Sequence, residues 1–290
     1  MRVSFLCTGL MVFLVAVVSS PPAAAAKGCY HGRGHIIKKM ARGFEIQISR
    51  YPDKDNPELD ECEAEIYDPR GDVIFSEHDW GFSIGVAGYD VNGDGIPDVV
   101  LEAYSGGAHC CWTFYVISLG SKPGLITKFE NNHDAAFFWN KENRRIEIAT
   151  RDGNFDYFDG LCHACTPLPL VYLRLDGRTL LDIGSQYVTE YDEVIAENRK
   201  ALTTDELRRL RDLKTNPSDA AGPDGTVAKA LMIVLAYLYS GREAQAREAL
   251  HSMWPPFDQE RMWKLIQETR RDGVLCYTRK EAGCGPDVTK

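Results

Sequence analysis

The sequence predicts an α+β protein. An antiparallel all-β N-terminal part, built as blade-like sheets or as a sandwich, precedes a small all-α C-terminal part. Three observations carry this. Apolar and polar residues alternate from Gly43 to about Gly177, which is the period of a half-buried strand. The alternating runs are short, and Gly, Pro, Asn and Asp interrupt them at intervals of roughly 10–15 residues. Beyond about Ser185 the apolar spacing lengthens to that of a helix, with Gly and Pro confined to the ends of the runs. The chain therefore divides into a leader (1–26), a β domain (27–185) and a helical domain (186–290).

The leader begins Met1-Arg2, continues mostly apolar from Val3 to Val18, and ends Ser19-Ser20-Pro21-Pro22 and Ala23 to Ala26. One positive charge, an apolar middle and an Ala-x-Ala site describe a secretory signal peptide, with cleavage expected after Ala26. The mature protein is then exported, to a periplasmic or extracellular location. No later apolar run reaches the roughly 18 residues that a membrane helix needs, so no span is expected after cleavage. The formal charge of −9 leaves no general electrostatic reason to bind nucleic acid or anionic lipid.

Residues 27–43 read as an N-terminal arm, with Cys29, His31 and His35 as a candidate metal corner and a disulfide tether as the simpler role. Phe44, Ile46 and Ile48 then alternate with Glu45, Gln47 and Ser49. Cys62, Ala64 and Ile66 alternate with Glu63, Glu65 and Tyr67. Pro69-Arg70-Gly71-Asp72 turns the chain into Val73 and Phe75. Phe82, Ile84 and Val86 form the next strand, and Val99 to Leu101 another. Trp112, Phe114 and Val116 alternate with Thr113, Tyr115 and Ile117. Ile146 and Ile148 follow the turn Lys141-Glu142-Asn143, and Leu170 to Leu175 closes the series, for about ten strands. Helices are expected over Tyr187–Leu202, Leu207–Leu213, Val227–Tyr239, Glu243–Met253 and Asp258–Arg271. Thr203 and Glu206 are spaced as a capping box. Val227–Tyr239 is apolar nearly all round and should be buried.

Cysteine usage supports an oxidising compartment. Apart from Cys7 in the leader, eight remain: Cys29, Cys62, Cys110, Cys111, Cys162, Cys165, Cys276 and Cys284. An even count in an exported chain reads as disulfides. Proximity favours Cys276–Cys284 and Cys29–Cys62, which leaves Cys110 and Cys111 to meet Cys162 and Cys165. Two other readings use the same residues. His109, Cys110, Cys111, Cys162, His163 and Cys165 hold enough soft donors for zinc or copper. A His between the two cysteines of Cys162-His163-Ala164-Cys165 also favours a thiolate, and so a redox pair.

The most informative stretch is Asp90-Val91-Asn92-Gly93-Asp94-Gly95-Ile96-Pro97-Asp98. Side-chain oxygens fall at Asp90, Asn92, Asp94 and Asp98, and Ile96 can add its carbonyl. Calcium takes about six to eight oxygens at about 2.3–2.6 Å, and this spacing supplies several from one loop. The simpler alternative is an Asn-Gly/Asp-Gly turn between strands. Position twelve is Leu101, where an EF-hand needs a bidentate Glu. With strands on both sides, the fragment Gly88 to Val100 resembles the calcium loop of FG-GAP/VCBS repeats, and with its flanks the resemblance covers about 20 residues of the chain. That resemblance implies a blade hairpin and a structural calcium ion. Farther on, Tyr237, Gly241, Ala246 and Leu250 keep the spacing of one tetratricopeptide hairpin. A single such unit cannot bury its own face, so it should pack on the β domain.

The aromatics Phe137, Phe138, Trp139, Phe155, Tyr157 and Phe158 could floor a sugar site. His78-Asp79 invites a general-base role, with a surface loop as the simpler reading. Neither Gly-x-Ser-x-Gly nor His-Glu-x-x-His occurs. The expectation is a calcium-stabilised, disulfide-linked binding or envelope-associated protein whose ligand is an unidentified protein or carbohydrate. The alternative is a periplasmic enzyme, a thiol–disulfide oxidoreductase or hydrolase, using the Cys/His cluster.

Overall fold

A computed structural model of the chain describes residues 28–52, 60–107, 111–218, 225–279 and 284. The leader, with its expected cleavage site, lies outside them. So do His109 and Cys110.

The described chain opens with a short strand, β1 (Gly28–Tyr30), followed by three antiparallel meanders in chain order. The first sheet holds β2 (Ile36–Lys39), β3 (Glu45–Tyr51), β4 (Glu61–Tyr67) and β5 (Val73–Asp79). The second holds β6 (Gly81–Tyr89), β7 (Asp98–Tyr104), β8 (Trp112–Ser118) and β9 (Gly124–Asn131), with β1 paired to β6. The third holds β10 (Ala135–Asn140), β11 (Arg145–Arg151), β12 (Leu170–Asp176) and β13 (Thr179–Asp182). The α+β class and the antiparallel pairing are those that the alternation predicts. The expected turns form as well: the Asp68 carboxylate accepts from the Arg70 and Asp72 N–H groups at 2.8 and 3.0 Å. Asn140 accepts from Glu142 and Asn143 at 2.9 and 3.2 Å.

The three sheets lie face to face as successive layers. In the first, Ile46, Ile48, Ala64, Ile66 and Phe75 point one way and meet Phe82, Val99, Leu101, Ala103 and Ile117 of the second. The opposite face of the second sheet, with Val86, Val100, Phe114 and Val116, packs on Ile146, Ile148, Val171 and Leu173 of the third. A strand covered on both sides loses its alternation, and β7 shows this: its first four residues, from Asp98 to Leu101, are all buried.

The helical layer is α1 (Val188–Lys200), α2 (Thr204–Arg211), α3 (Thr226–Tyr239), α4 (Glu243–Met253) and α5 (Gln259–Asp272). Thr203 closes a full capping box on α2 with Glu206. Gly241, at φ +78°, ends α3 in a left-handed turn that only glycine adopts without strain. Most of α3 is buried, as its all-round apolarity predicts. Tyr187 and Tyr191 lay the layer onto the third sheet, their rings 3.8 and 5.7 Å from that of Tyr172. One continuous core therefore runs from Val86 through the third sheet to Leu275, across the expected boundary at residue 185.

Candidate functional site

The loop Asp90–Pro97 joins β6 to β7, as a strand–loop–strand hairpin should. Its position is more telling than its shape. Asn92 accepts, through its backbone carbonyl, the Gly177 N–H from the β12–β13 turn at 2.9 Å. Gly93, at φ +79°, leaves room for the Arg145 guanidinium, which a Cβ there would overlap. Arg145 in turn donates to the Leu175 carbonyl at 2.8 Å and lies 3.6 Å from Asp176. On the other side the Leu119 N–H donates to the Pro97 carbonyl at 3.0 Å. The loop is thus wedged between the second and third sheets.

Its oxygens are organised by the loop's own backbone. Asp90 takes the N–H groups of Gly93 and Gly95, Asn92 takes Asp94, and Asp94 takes Ile96, at 2.5–3.1 Å. Asp98 is the exception. It is fully buried, and one oxygen, Oδ2, accepts from the Val91 and Asn92 N–H groups at 2.8 and 3.3 Å. Its other oxygen, Oδ1, is buried with no hydrogen-bond partner. Burial pushes this carboxyl up to about 7, against those two bonds, and the Asp94 and Asp90 charges add to the rise. Among the described residues, no three His, Cys, Asp or Glu side chains converge as preformed metal ligands. An all-oxygen donor set with an orphaned carboxylate oxygen at its base nevertheless suits a hard cation better than a soft one.

The cysteines require a correction. Cys29–Cys62 and Cys276–Cys284 are bonded as expected. Cys162 and Cys165 are bonded to each other, so the expected pairing of Cys110 and Cys111 with them does not form. The physical reason is local. Residues His163–Cys165 make one 3-10 turn, closed by Cys165 N–H donating to the Cys162 carbonyl at 2.8 Å, and this turn brings the two sulfurs together. Cys111 is also oxidised, and its sulfur lies 3.6 Å from Asn132 Oδ1. The soft-metal reading of Cys162 and Cys165 loses its thiolates in this state. Cys29 is likewise oxidised and buried, which removes the N-terminal metal corner.

Within the cysteine turn, His163 Nδ1 lies 2.7 Å from Asp156 Oδ1. Tyr157 and Asp159 both hold left-handed backbone, at φ +54° and +52°. Asp159 accepts a bidentate pair from Arg261 of α5 at 2.7 and 2.9 Å and the Ser218 hydroxyl at 2.6 Å, so α5 pins this strained segment. His133 was not singled out by the sequence. It stands in the electrostatic neighbourhood of Asp156 and His163, and its Nε2 is buried without a hydrogen-bond partner. Burial, first, holds it below the usual histidine range.

Of the aromatics considered for a sugar floor, Phe155 and Phe158 are buried and Phe137 and Phe138 pack against the core. Trp139 and Tyr157 stand half exposed. His78 is a surface residue, 2.6 Å from Glu61 and stacked on Tyr51. No helix among the described residues is long and apolar enough to cross a membrane.

Comparison with family models, curated proteins and solved structures returned no match. The resemblances to FG-GAP/VCBS and tetratricopeptide units rest on the residues quoted for them.

Proposed function

We propose that this chain is an exported binding or envelope-associated protein in which calcium, held at Asp90, Asn92, Asp94, Ile96 and Asp98, fastens the second sheet to the third. The observation that carries the reading is Asp98 Oδ1, a buried carboxylate oxygen without a partner at the base of an oxygen-lined loop. A bound cation would supply the missing charge and relieve the repulsion among Asp90, Asp94 and Asp98. Arg145 lies against the same loop; its Nη2 donates to the Leu175 carbonyl and lies 3.6 Å from Asp176, while its Nε is buried without a hydrogen-bond partner. The oxidised cysteines suit an exported chain. The partner class is a protein or carbohydrate. The polar outer face of β3 and β4, where Tyr51 and Tyr67 stand among glutamates, is where the reading looks for it.

Thermal unfolding with calcium and with chelator tests the ion. Extracellular calcium modules bind at about 10⁻⁴–10⁻³ M. Calcium at roughly ten times the dissociation constant should stabilise by about 1.4 kcal/mol. That is a rise of roughly 2–3 °C for a chain of this size. Asp98→Asn keeps an acceptor for Val91 and Asn92 and should fold while losing the response. An identical midpoint with calcium and chelator in the wild type would reduce the loop to a turn.

A further inference from the structure

We propose that the Cys162–Cys165 disulfide is a redox-active pair that exchanges with the dithiols of a partner protein. Cys162 is the sulfur attacked, and His163, oriented by Asp156, is the positioning residue that supports the departing thiolate. The inference rests on none of the residues of the calcium loop.

Four observations converge on this turn. The pair is asymmetric: Cys162 is exposed, whereas Cys165 is half buried and packs against the main core. An incoming thiolate therefore reaches Cys162 more readily than Cys165, which sets the favoured direction of cleavage. Second, the residue after the exposed sulfur is a histidine whose Nδ1 is held 2.7 Å from a nearly buried carboxylate, Asp156. The carboxylate fixes the orientation of the imidazole within the turn, one residue from Cys162 and two from Cys165.

Third, the disulfide closes only a three-residue step in the sequence, against 33 for Cys29–Cys62. Chain-entropy stabilisation grows with the loop enclosed, so of Cys29–Cys62, Cys162–Cys165 and Cys276–Cys284 this bond contributes least to holding the fold. Fourth, the turn has supports that do not depend on the bond. The Thr166 hydroxyl donates to the Phe155 carbonyl and accepts the Phe158 N–H, while Arg261 and Ser218 grip Asp159. Opening the disulfide leaves this frame in place. Tyr157, half exposed with its ring 5.7 Å from that of His163, offers an apolar shelf beside the exposed sulfur for the approaching chain.

The chemistry balances without a cofactor. A substrate thiol ionises and its thiolate attacks Cys162 Sγ. The Cys162–Cys165 bond breaks, and its electron pair leaves on Cys165, which takes up a proton equivalent to the one the substrate released. The second substrate thiolate then attacks the substrate sulfur of the mixed disulfide, and Cys162 departs as thiolate and is protonated. Two electrons and two protons pass from the substrate dithiol to the cysteine pair. A second protein's disulfide restores the pair by the same steps in reverse.

The test is equilibration of the full chain in a series of glutathione redox buffers, followed by alkylation and mass assignment of each cysteine. The expected result is reduction of Cys162–Cys165 at a glutathione ratio at least about tenfold less reducing than either Cys29–Cys62 or Cys276–Cys284 requires, with circular dichroism unchanged. Cys165→Ser should trap glutathione on Cys162. His163→Gln and Asp156→Asn should slow exchange several-fold and shift its pH profile, which a purely structural role would not do. Co-reduction with Cys29–Cys62 and Cys276–Cys284, loss of the fold on opening, or rates and pH profiles equal to wild type in both variants would overturn the proposal. Repeating the series in chelator separates it from the calcium reading, since the redox order should not change.

Discussion

The two outer faces of the three-sheet stack are ended in opposite ways. On the first sheet, Glu45, Gln47, Glu61, Glu63 and Glu65 point outward, half exposed, and satisfy one another's neighbours along and across the strands. His78 pairs with Glu61 and the Tyr67 hydroxyl donates to Glu65, both at 2.6 Å. On the third sheet, the outward side carries Tyr172 and the fully buried Glu147 beneath α1. Glu147 is held by Asn140 at 2.8 Å, by the Tyr187 hydroxyl and by Arg174 at 3.5 Å. A stack of apolar-faced sheets must stop somewhere, because each new layer exposes a new face. One end stops by being polar enough to face water, the other by a helical cap. Stability should therefore be concentrated at the capped end.

The largest effects should come from that cap. Trp254→Ala removes a buried indole that donates to Asp258 at 2.8 Å, and it should cost about 3–5 kcal/mol in denaturant unfolding. Glu63→Ala on the open face should stay within about 0.5 kcal/mol. Equal losses from both would break the comparison and mean that the outer face of the first sheet is covered. The disulfides sharpen it at the next level. By loop length, removing Cys29–Cys62 should cost about 4 kcal/mol and removing Cys162–Cys165 about 2 kcal/mol. The open end would thus draw covalent support that the capped end needs less; chemical unfolding of the two double Cys→Ala variants decides the order.

A pH effect is expected at the capped end. Asp152, fully buried, takes the Tyr239 hydroxyl from α3 at 2.5 Å, with Arg270 stacked over that tyrosine ring. Burial pushes its carboxyl from 3.8 up to about 6, more than these partners pull it down. The folded state therefore keeps a proton that the unfolded chain loses first. Stability from this group is full below about pH 4, falls as pH rises, and levels off above about pH 6. The loss is about 3 kcal/mol at most. Unfolding midpoints from pH 4 to 7 should fall in the wild type and fall less steeply in Asp152→Asn, where the raised carboxyl of Asp98 still contributes. Among the losses expected in the helical layer the α2 cap is small: Thr203→Ala should cost about 1 kcal/mol.

Features that depend on near neighbours were legible in the chain itself. The alternation through β3 and β4, the Thr203 cap, the Asp68 and Asn140 turns and the stop at Gly241 all involve contacts within a few residues. Each leaves a periodic or positional mark. The strands that escaped notice are those whose marks are weak. β1, β2 and β13 are three or four residues each, the alternation of β9 is broken where its pairing with β8 skips Ile126, and β10 carries its aromatics on both faces, so Phe137, Phe138 and Trp139 read as a ligand floor.

What the sequence determined by itself was the class of fold, the order of its elements and the oxygen-rich spacing of Asp90–Asp98. The tertiary structure alone decided which faces meet and which polar atoms are stranded. Asp98 is one carboxylate among three in the sequence, and only enclosure between two sheets orphans its Oδ1. Cys162 could have met Cys111, and the closing turn, pinned through Asp159 to Arg261 far along the chain, chose Cys165 instead. The reason is common to both. Burial and long-range pairing are properties of the packed whole, and no local pattern encodes the distance between residues that meet only when the layers close.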